Sequence, residues 1–224
     1  MSIEPSDPAQ PPHEELRIRR VAKRARYDRE TVDAIVDAAL IAHVGTVRDG
    51  KPIVVPMLCL RDGDWLLLHG SPASGTVVRS REQDVCVTMT LLDGLVLARS
   101  AFHHSLNYRS VVVLGRAEVI RDEAERSRVL EVFMERLVPG RGAALRPTTA
   151  TERKQTTLLR VSLEKASAKI RTGPPADDEA DYGLPIWAGV LPVTTRIGEP
   201  EADPRLADGI ETPAHVRKLA GRVL

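Results

Sequence analysis

Two Asp-Gly pairs divide residues 41–70 into apolar runs, and this pattern constrains the fold more than any other stretch of the chain. The runs are AHVGTV, PIVVPMLCL and WLLLHG, with Asp49-Gly50 and then RDGD between them. Asp-Gly between apolar runs favours a tight hairpin turn. We therefore expect three antiparallel strands in a meander.

The rest of the chain continues this β-rich pattern with few helices. Asp28 and Asp122 are predicted N-caps of two helices with apolar residues at helical spacing, and a short helix is predicted to open at Ser71-Pro72. Strands are predicted in DVCVTMTLL and LVLARS with a tight turn at Asp93-Gly94, in SVVVLGRAEVI, and over the whole of TTLLRVSLEKASAKIR. A mainly β, six-stranded antiparallel barrel with peripheral helices accounts for this order better than a doubly wound sheet.

Composition along the chain suggests three parts. Residues 1–15 are polar and proline-rich and are expected to be disordered, 16–172 form the barrel domain with a basic and helical N-terminal segment, and 173–224 form an irregular extension. The extension is expected to pack on the barrel or on a partner subunit. No apolar run reaches the roughly 20 residues that span a bilayer, and the N-terminus lacks the apolar core of a signal peptide. We expect a cytoplasmic protein without membrane contacts.

Charge gives no general sign of nucleic-acid binding, because 32 Lys and Arg residues balance 31 Asp and Glu residues. One segment differs: RIRRVAKRARYDR, residues 17–29, carries seven basic residues. It is typical either of a phosphate-reading arm, as in a DNA-binding regulator, or of a solvated arm that pairs with acidic groups of its own fold or of a partner. We favour the second interpretation.

Neither the cysteines nor the histidines form a recognisable catalytic or metal motif. Cys59 and Cys86 lie in apolar strand patterns and are expected to be buried and reduced. His103 and His104 are neighbours, and neighbours in an extended chain point to opposite faces, so the two do not easily bind one ion. His43 and His69 also lack metal-ligand spacing, and we expect no metal site. No serine lies in a G-x-S-x-G elbow.

A strand followed by a capped helix after residue 65 predicts a candidate anion site. Free N–H groups and the positive end of a helix dipole attract phosphate. The alternative is an ordinary capped helix that binds only water. The candidate donors are Gly70, Ser71, Ser74, Gly75 and Thr76, with Arg79 and Arg81 nearby.

The chain resembles the flavin-nucleotide-binding proteins related to nitroimidazole-resistance proteins, a branch of the split-barrel superfamily typified by pyridoxamine 5'-phosphate oxidase. Five segments carry the resemblance in order: HVGTVRDGKPIVVPM, LLLHGSPAS, ARSAFHHSLNYRSVVVLGRA, LVPGR and PIWAGVLP. The first begins at His43 and the last ends at Pro192. The resemblance implies a homodimer of six-stranded split barrels with a flavin, usually FMN, in the cleft between subunits.

The resemblance also implies which residues contact the flavin. Trp187 of the partner's tail would cover the ring. Loss of the Ser-Arg-Lys triplet that holds the phosphate in the oxidase branch calls for another cation, for which Arg109 is the candidate. The contacts to the ring and the ribityl chain would be Val55, Pro56, Met57, His69, Gly70 and Ser71. Ser74, Gly75 and Thr76 stand where the oxidase branch has the triplet. Asn107, Tyr108 and Ser110 would contact the cofactor together with Arg109.

These features predict a flavin-dependent oxidoreductase that passes electrons to a small acceptor such as a nitroaromatic or quinone-like compound. His69 is the candidate proton donor. Two alternatives of the same fold stay open: a flavin or haem carrier or sensor without turnover, and a haem-degrading protein in which His69, His103 or His104 binds the iron. The sequence does not distinguish FMN from FAD or a deazaflavin.

Overall fold

The computed structural model describes residues 11–71, 74–75, 77 and 83–224, and these residues form one antiparallel sheet with few helices. The hydrogen-bonded order is β1-β9-β6-β5-β2-β3-β4-β8-β7, with β10 on β5. The strands are β1 (Ala25–Arg26), β2 (Ile41–Arg48), β3 (Lys51–Asp62), β4 (Trp65–Gly70), β5 (Asp84–Leu97), β6 (Ser105–Arg116), β7 (Glu118–Val119), β8 (Thr157–Ser162), β9 (Ala166–Arg171) and β10 (Gly189–Pro192).

The mainly β antiparallel prediction is confirmed, whereas the strand number differs from the expected six. The described sheet has ten strands, of which β1 and β7 contain only two residues each. Within the described part of the chain the hydrogen-bonded path starts at β1 and ends at β7 without returning on itself. Closure into a barrel therefore stays a prediction.

Both Asp-Gly hairpins of the first meander are confirmed. Asp49 and Gly50 have φ angles of 52° and 74°, the left-handed values that a two-residue hairpin turn requires. Arg48 then pairs with Lys51 across this turn. Gly63 has a φ of 57° in the turn between β3 and β4.

The predicted turn at Asp93-Gly94 is wrong, because β5 continues through it. The pairing with β6 shifts by a β-bulge between Leu92 and Gly94 and then resumes at Leu95. A Cβ on Gly94 would lie 2.9 Å from Val190 Cγ1, so this glycine allows β10 to approach. The Asp-Gly pair here serves a bulge and a close strand contact instead of a hairpin.

The single long strand predicted over TTLLRVSLEKASAKIR is also wrong. It divides into β8 and β9, separated by a turn at residues 163–165. Leu163 N–H donates to the Asp64 carbonyl (2.9 Å), and Glu164 N–H donates to Ser162 Oγ (3.2 Å). Apolar residues continue through this turn, since Leu163 is buried, so the sequence pattern did not reveal it.

Four α-helices lie entirely within the described residues: α1 (Arg29–Ala38), α2 (Glu123–Leu137), α3 (Ala150–Lys154) and α4 (Ala214–Arg217). Both predicted N-caps are confirmed, because Asp28 accepts from Thr31 N–H and Asp122 accepts from Glu125 N–H, each at 2.8 Å. Pro72, where the short helix was expected to begin, lies outside the described residues. No described helix combines the length and the apolar character needed to cross a membrane.

The apolar core has two parts, one on each face of the sheet. The inner part joins α1 to the inner side of the long strands, with Val36, Val44 and Val87 fully buried. The outer part lies under α2, where Val129 and Phe133 pack against strands β3, β4 and β8. Helix α2 thus covers one portion of the outer face.

The expectation that both cysteines are buried holds for only one of them. Cys59 is buried and Cys86 is exposed, and both are free thiols. Cys86 pairs with Gly45 on the outer face of the sheet, whereas its neighbours Val85 and Val87 point inward and are buried. Strand alternation therefore places Cys86 outward, where no described residue covers it.

The N- and C-terminal parts pack on the sheet. Of the expected disordered tail, residues 1–10 lie outside the described part, and Glu14–Leu16 form a short 3-10 helix with Leu16 buried. In the C-terminal extension, β10 pairs with β5. The Asp177 carboxylate accepts from the backbone N–H of Arg99 (2.9 Å) and from Arg99 Nη1 (2.8 Å).

Loss of the Asp122 cap should weaken α2 and the outer core beneath it. We expect Asp122→Ala to lower the free energy of unfolding by about 1 kcal/mol, because one N–H at the helix start loses its acceptor. Urea denaturation followed by circular dichroism measures this change. The control is Ser127→Ala on the exposed side of the same helix; an equal effect in both variants would contradict the capping role.

Candidate functional site

The outer face of the sheet carries several residues that the sequence assigned to a site. Pro56 pairs with His43, His43 with Thr88, and Thr90 with Ser110. Directly paired residues in a sheet point to the same face, so these side chains share one surface. Ile41, Val47 and Val54 on the same surface are 56%, 63% and 61% exposed, so this part of the face is open.

A groove of about 590 Å³ crosses the open part of this face, and its lining includes His43, Val54, Cys86 and Thr88. Cys86 is exposed as a residue, but the groove partly desolvates its thiol, and this partial burial raises the pKa of Cys86. A thiol with a raised pKa stays protonated near neutral pH and is a weak nucleophile. The groove therefore offers an apolar binding surface and no activated cysteine.

His69 lies at the end of β4, paired with Leu158. Its ring meets the Phe133 ring edge-on, with centroids 5.1 Å apart. Partial burial lowers the pKa of His69 below its usual value, so the imidazole is neutral near pH 7. Neither ring nitrogen hydrogen-bonds to a described residue. These properties suit a ligand or an acceptor better than the predicted proton donor.

The stretch after β4 is only partly described. A Cβ on Gly70 would lie 2.7 Å from Val77 Cγ2 and 3.4 Å from Met57 Cε, so the strand end packs closely on its surroundings. Ser74 N–H donates to the Ser71 carbonyl at 2.9 Å. Ser71 and Gly75 are exposed. Thr76, Arg79 and Arg81 lie outside the described residues, so the predicted phosphate cradle stays a prediction.

The three predicted flavin contacts on β3 do not share one face. Pro56 is exposed on the outer face, whereas Met57 is 9% exposed and belongs to the inner core. Val55 pairs with the buried Val44 on that inner side. Alternation along a strand separates them, so among their side chains only that of Pro56 is available at the outer surface.

Asn107, Tyr108 and Ser110 all lie on β6, which begins at Ser105 and so extends further towards the N-terminus than the strand predicted from Ser110, but the three residues have different surroundings. Asn107 is buried, donates from Nδ2 to the Gly173 carbonyl (3.1 Å) and accepts from Arg171. It therefore holds the start of the C-terminal extension. Ser110 Oγ donates to the Lys169 carbonyl at 3.2 Å, and Tyr108 pairs with Leu92 and Arg171 in the sheet.

Arg109, the predicted replacement cation, already has a carboxylate partner. Its Nε and Nη2 donate to the two oxygens of Asp93 at 2.9 and 2.7 Å. This side-chain hydrogen bonding raises the pKa of Arg109, as a bidentate carboxylate contact should. The charge of Arg109 is thus compensated within the chain, which weakens it as a phosphate ligand.

Trp187 precedes β10 in the extension and is 65% exposed. Its ring lies over Gly189, where a Cβ would come within 2.9 Å of the indole. Its own described chain therefore leaves most of the indole uncovered.

The adjacent histidines of the AFHH stretch point to separate partners. His103 Nε2 lies 3.3 Å from an Asp178 carboxylate oxygen, and His104 Nδ1 lies 2.8 Å from the Ser100 carbonyl. The two side chains diverge, but not for the reason expected, because Ala101–His103 form a 3-10 helix and not an extended strand. Within the described ranges, no group of three or more His, Cys, Asp or Glu residues could hold a metal ion.

Sequence reasoning missed one polar feature beside β6. Lys169 and Arg171 on β9 lie next to the basic segment, because Lys169 pairs with Ser110 on one side and with Ala25 on the other. Basic residues spread along a strand and a distant loop give no linear motif. Only the pairing of β1 with β9 brings them together.

The family model described as pyridoxamine 5'-phosphate oxidase matches residues 28–170 of this chain. The chain therefore belongs to the pyridoxamine 5'-phosphate oxidase family, as the resemblance implied. Among curated proteins, none matches the sequence significantly.

Solved structures include two relatives that extend over nearly the whole chain. The flavocytochrome Anf3 from Azotobacter vinelandii is 44% identical with a TM-score of 0.90, and the match covers 95% of this chain and 100% of that one. An FAD and haem binding protein from Mycobacterium smegmatis is 38% identical with a TM-score of 0.84, covering 88% and 98%. A candidate 5-nitroimidazole antibiotic resistance protein from Bacteroides thetaiotaomicron shares the fold, at 24% identity and a TM-score of 0.55 over 65% and 86%.

The close approach at Gly70 should make the end of β4 intolerant of a side chain. We expect Gly70→Ala to lower the free energy of unfolding by about 1–3 kcal/mol, because the new methyl group overlaps Val77. Chemical denaturation of this variant and of Gly198→Ala measures the difference. A Cβ on Gly198 would have no neighbouring atom within 4 Å, so comparable losses in both variants would contradict the packing argument.

Proposed function

We propose that this protein binds both a flavin nucleotide and haem and acts as an oxidoreductase that passes electrons to a small acceptor. The observation that carries the proposal is the 44% identity to a flavocytochrome over 95% of this chain and all of that one. Coverage of the complete relative includes the C-terminal extension as well as the barrel. The relative described as binding FAD and haem supports the same pair of cofactors.

His69 is the residue that would best hold a haem iron. A haem iron takes a neutral imidazole nitrogen, and burial lowers the pKa of His69, which favours the neutral ring. His103 and His104, the other candidates, lie against Asp178 and the Ser100 carbonyl. If one ring nitrogen of His69 held the iron, that nitrogen could not carry the proton for transfer to the flavin, so we propose this role in place of the proton donor expected from the sequence.

The flavin contacts are proposed across the outer face, from Pro56 on β3 to Thr90 on β5 and to Tyr108 and Ser110 on β6. Pro56 would supply an apolar contact, and the other three residues carry hydroxyls. When bound, the flavin supplies the hydride or electron chemistry. The chain would orient it and exclude water. FMN was the expectation from the family; we now propose FAD, because the 38% identical relative is described as binding it. A nitroaromatic or quinone-like acceptor and a cytoplasmic location stay predictions.

The cofactors can be identified directly from the purified protein. We expect denaturation to release a flavin with the mass of FAD, and the native protein to show a haem Soret band. His69→Ala should lose the Soret band and keep the flavin, whereas His104→Ala should keep both. Haem retained by His69→Ala would refute the ligand assignment alone. Failure to recover or bind any flavin would refute the proposed function.

A non-catalytic carrier or sensor is the second candidate, because the same site accounts for binding without turnover. Stopped-flow reoxidation of the reduced protein separates the two. An oxidoreductase is reoxidised faster with rising concentration of a nitroaromatic or quinone acceptor, whereas a carrier gives a rate that no acceptor changes.

We further propose that a second copy of the chain covers the open outer face. Ile41, Val47 and Val54 form an exposed apolar surface there, and such surfaces in monomers are normally small. A homodimer would bury them. The exposed indole of Trp187 is a separate surface that a partner could also cover.

Substitution at this surface should separate the subunits. We expect the wild-type protein to sediment with the mass of a dimer and Val54→Asp with that of a monomer, since a buried unpaired carboxylate opposes association. Leu145→Asp introduces the same charge at an exposed leucine outside the sheet and should leave the dimer intact. A monomeric wild type would refute this part of the proposal.

A further inference from the structure

The basic segment 17–29 divides into paired and unpaired cations. Arg17 Nε lies 2.8 Å from Glu14, Arg19 lies 3.6 Å from the same carboxylate, and Arg29 contacts Asp33 at 2.6 Å. The remaining four basic residues form no ion pair with a described carboxylate. These are Arg20, Lys23, Arg24 and Arg26.

Strand pairing places these four residues beside two further cations. Ala25 pairs with Lys169, and Lys169 Nζ donates to the Arg20 carbonyl at 3.1 Å. Lys169 has no carboxylate partner among the described residues either. On the other side of β9, Lys169 pairs with Ser110 and Arg171 pairs with Tyr108. We name as the cation cluster Arg20, Lys23, Arg24, Arg26, Lys169 and Arg171.

Arg171 is a buried member of this cluster without a carboxylate partner among the described residues. It is only 7% exposed, and its buried Nε has no hydrogen-bond partner in the part of the chain that the structure describes. Its other nitrogens donate to neutral oxygens, namely Asn107 Oδ1 and the carbonyls of Gly173 and Pro174. Burial, followed by repulsion from Arg24, lowers the pKa of Arg171. A buried cation without a counter-charge is costly, and an anion from outside the chain would offset that cost.

We propose that the cation cluster binds the phosphate groups of the flavin nucleotide, with the hydroxyls of Tyr108 and Ser110 beside it. This inference rests on the proposed flavin function and assigns the phosphate to Arg24, Lys169 and their neighbours instead of the compensated Arg109. Pyrophosphate brings the dense negative charge that several arginines and lysines bind through charge-assisted hydrogen bonds.

The partial burial of the cluster favours a small anion over a macromolecule. Arg171 is buried and Arg24 and Lys169 are half-buried, whereas Arg20, Lys23 and Arg26 are exposed. A phosphate is small enough to approach the recessed residues, whereas the backbone of a nucleic acid would contact only the exposed ones. The neighbouring flavin contacts proposed on β6 would hold the ring of the same molecule. A haem propionate carries similar chemistry, and the experiment below separates it from phosphate.

The test compares flavins that differ only in their phosphates. The full chain, freed of its cofactors, is titrated with FAD, FMN and riboflavin, and binding is followed by flavin fluorescence. Arg24→Gln should raise the Kd for FAD roughly tenfold, the value of one charge-assisted hydrogen bond, and leave the Kd for riboflavin unchanged. Lys169→Gln should have the same effect. Because Lys169 lies on a different strand, agreement between the two variants shows that the loss does not come from a local folding defect around Arg24.

Arg17→Gln is the matched control, because it removes one positive charge from the same segment at a residue already paired with Glu14. It should leave FAD affinity unchanged. Equal FAD affinity in Arg24→Gln and wild type, or an equal loss of riboflavin affinity, would overturn the phosphate assignment while flavin binding stands. Hemin is titrated in parallel. If Arg24→Gln weakens hemin binding and leaves FAD binding unchanged, the cluster binds haem propionates, and the phosphate assignment is overturned. No flavin binding by the wild type would overturn both proposals.

Discussion

Strand β5 pairs along both of its edges, and the positions of the candidate site residues depend on this pairing. One edge holds β6 from Asp84 to Val96, and the other holds β2 and then β10. The bulge between Leu92 and Gly94 lets β5 continue where a hairpin was expected. It places Asp93 within reach of Arg109, and it leaves an edge at which the C-terminal extension joins the sheet. The sheet and the C-terminal extension are therefore joined by strand pairing beside the candidate site.

The positions of the carboxylates determine which basic side chains have an ion-pair partner and which can bind a ligand instead. Arg109 has a bidentate partner in Asp93, whereas Arg171, one strand away, donates only to neutral oxygens within the described part of the chain. Both residues are arginines on adjacent paired strands. Their difference comes from the neighbouring chain segments alone: the bulge of β5 brings a carboxylate, and the exit of β9 brings the carbonyls of Gly173 and Pro174. Local pairing therefore sets the electrostatic character of the site.

Interactions between near neighbours in the sequence were predicted well. The hairpin at Asp49-Gly50 and the caps at Asp28 and Asp122 depend on a few consecutive residues, so their chemistry is visible in the sequence. Predictions that depended on distant partners failed or changed. Cys86 is exposed because no described segment covers its face, the strand division after Ser162 depends on Asp64, and the role of Arg109 depends on Asp93. None of these partners is adjacent in the chain.

The family and its mainly β antiparallel fold could be determined from the sequence alone, because ordered segments and turn residues are local features. The sequence also placed His69 at the end of a strand and named the β6 residues beside the proposed site. Only the tertiary structure decided which of these side chains face outward and which charges have partners. The physical reason is that strand register determines both the direction in which a side chain points and the charges that lie next to it. Register brings together residues as far apart in the sequence as Ala25, Ser110 and Lys169.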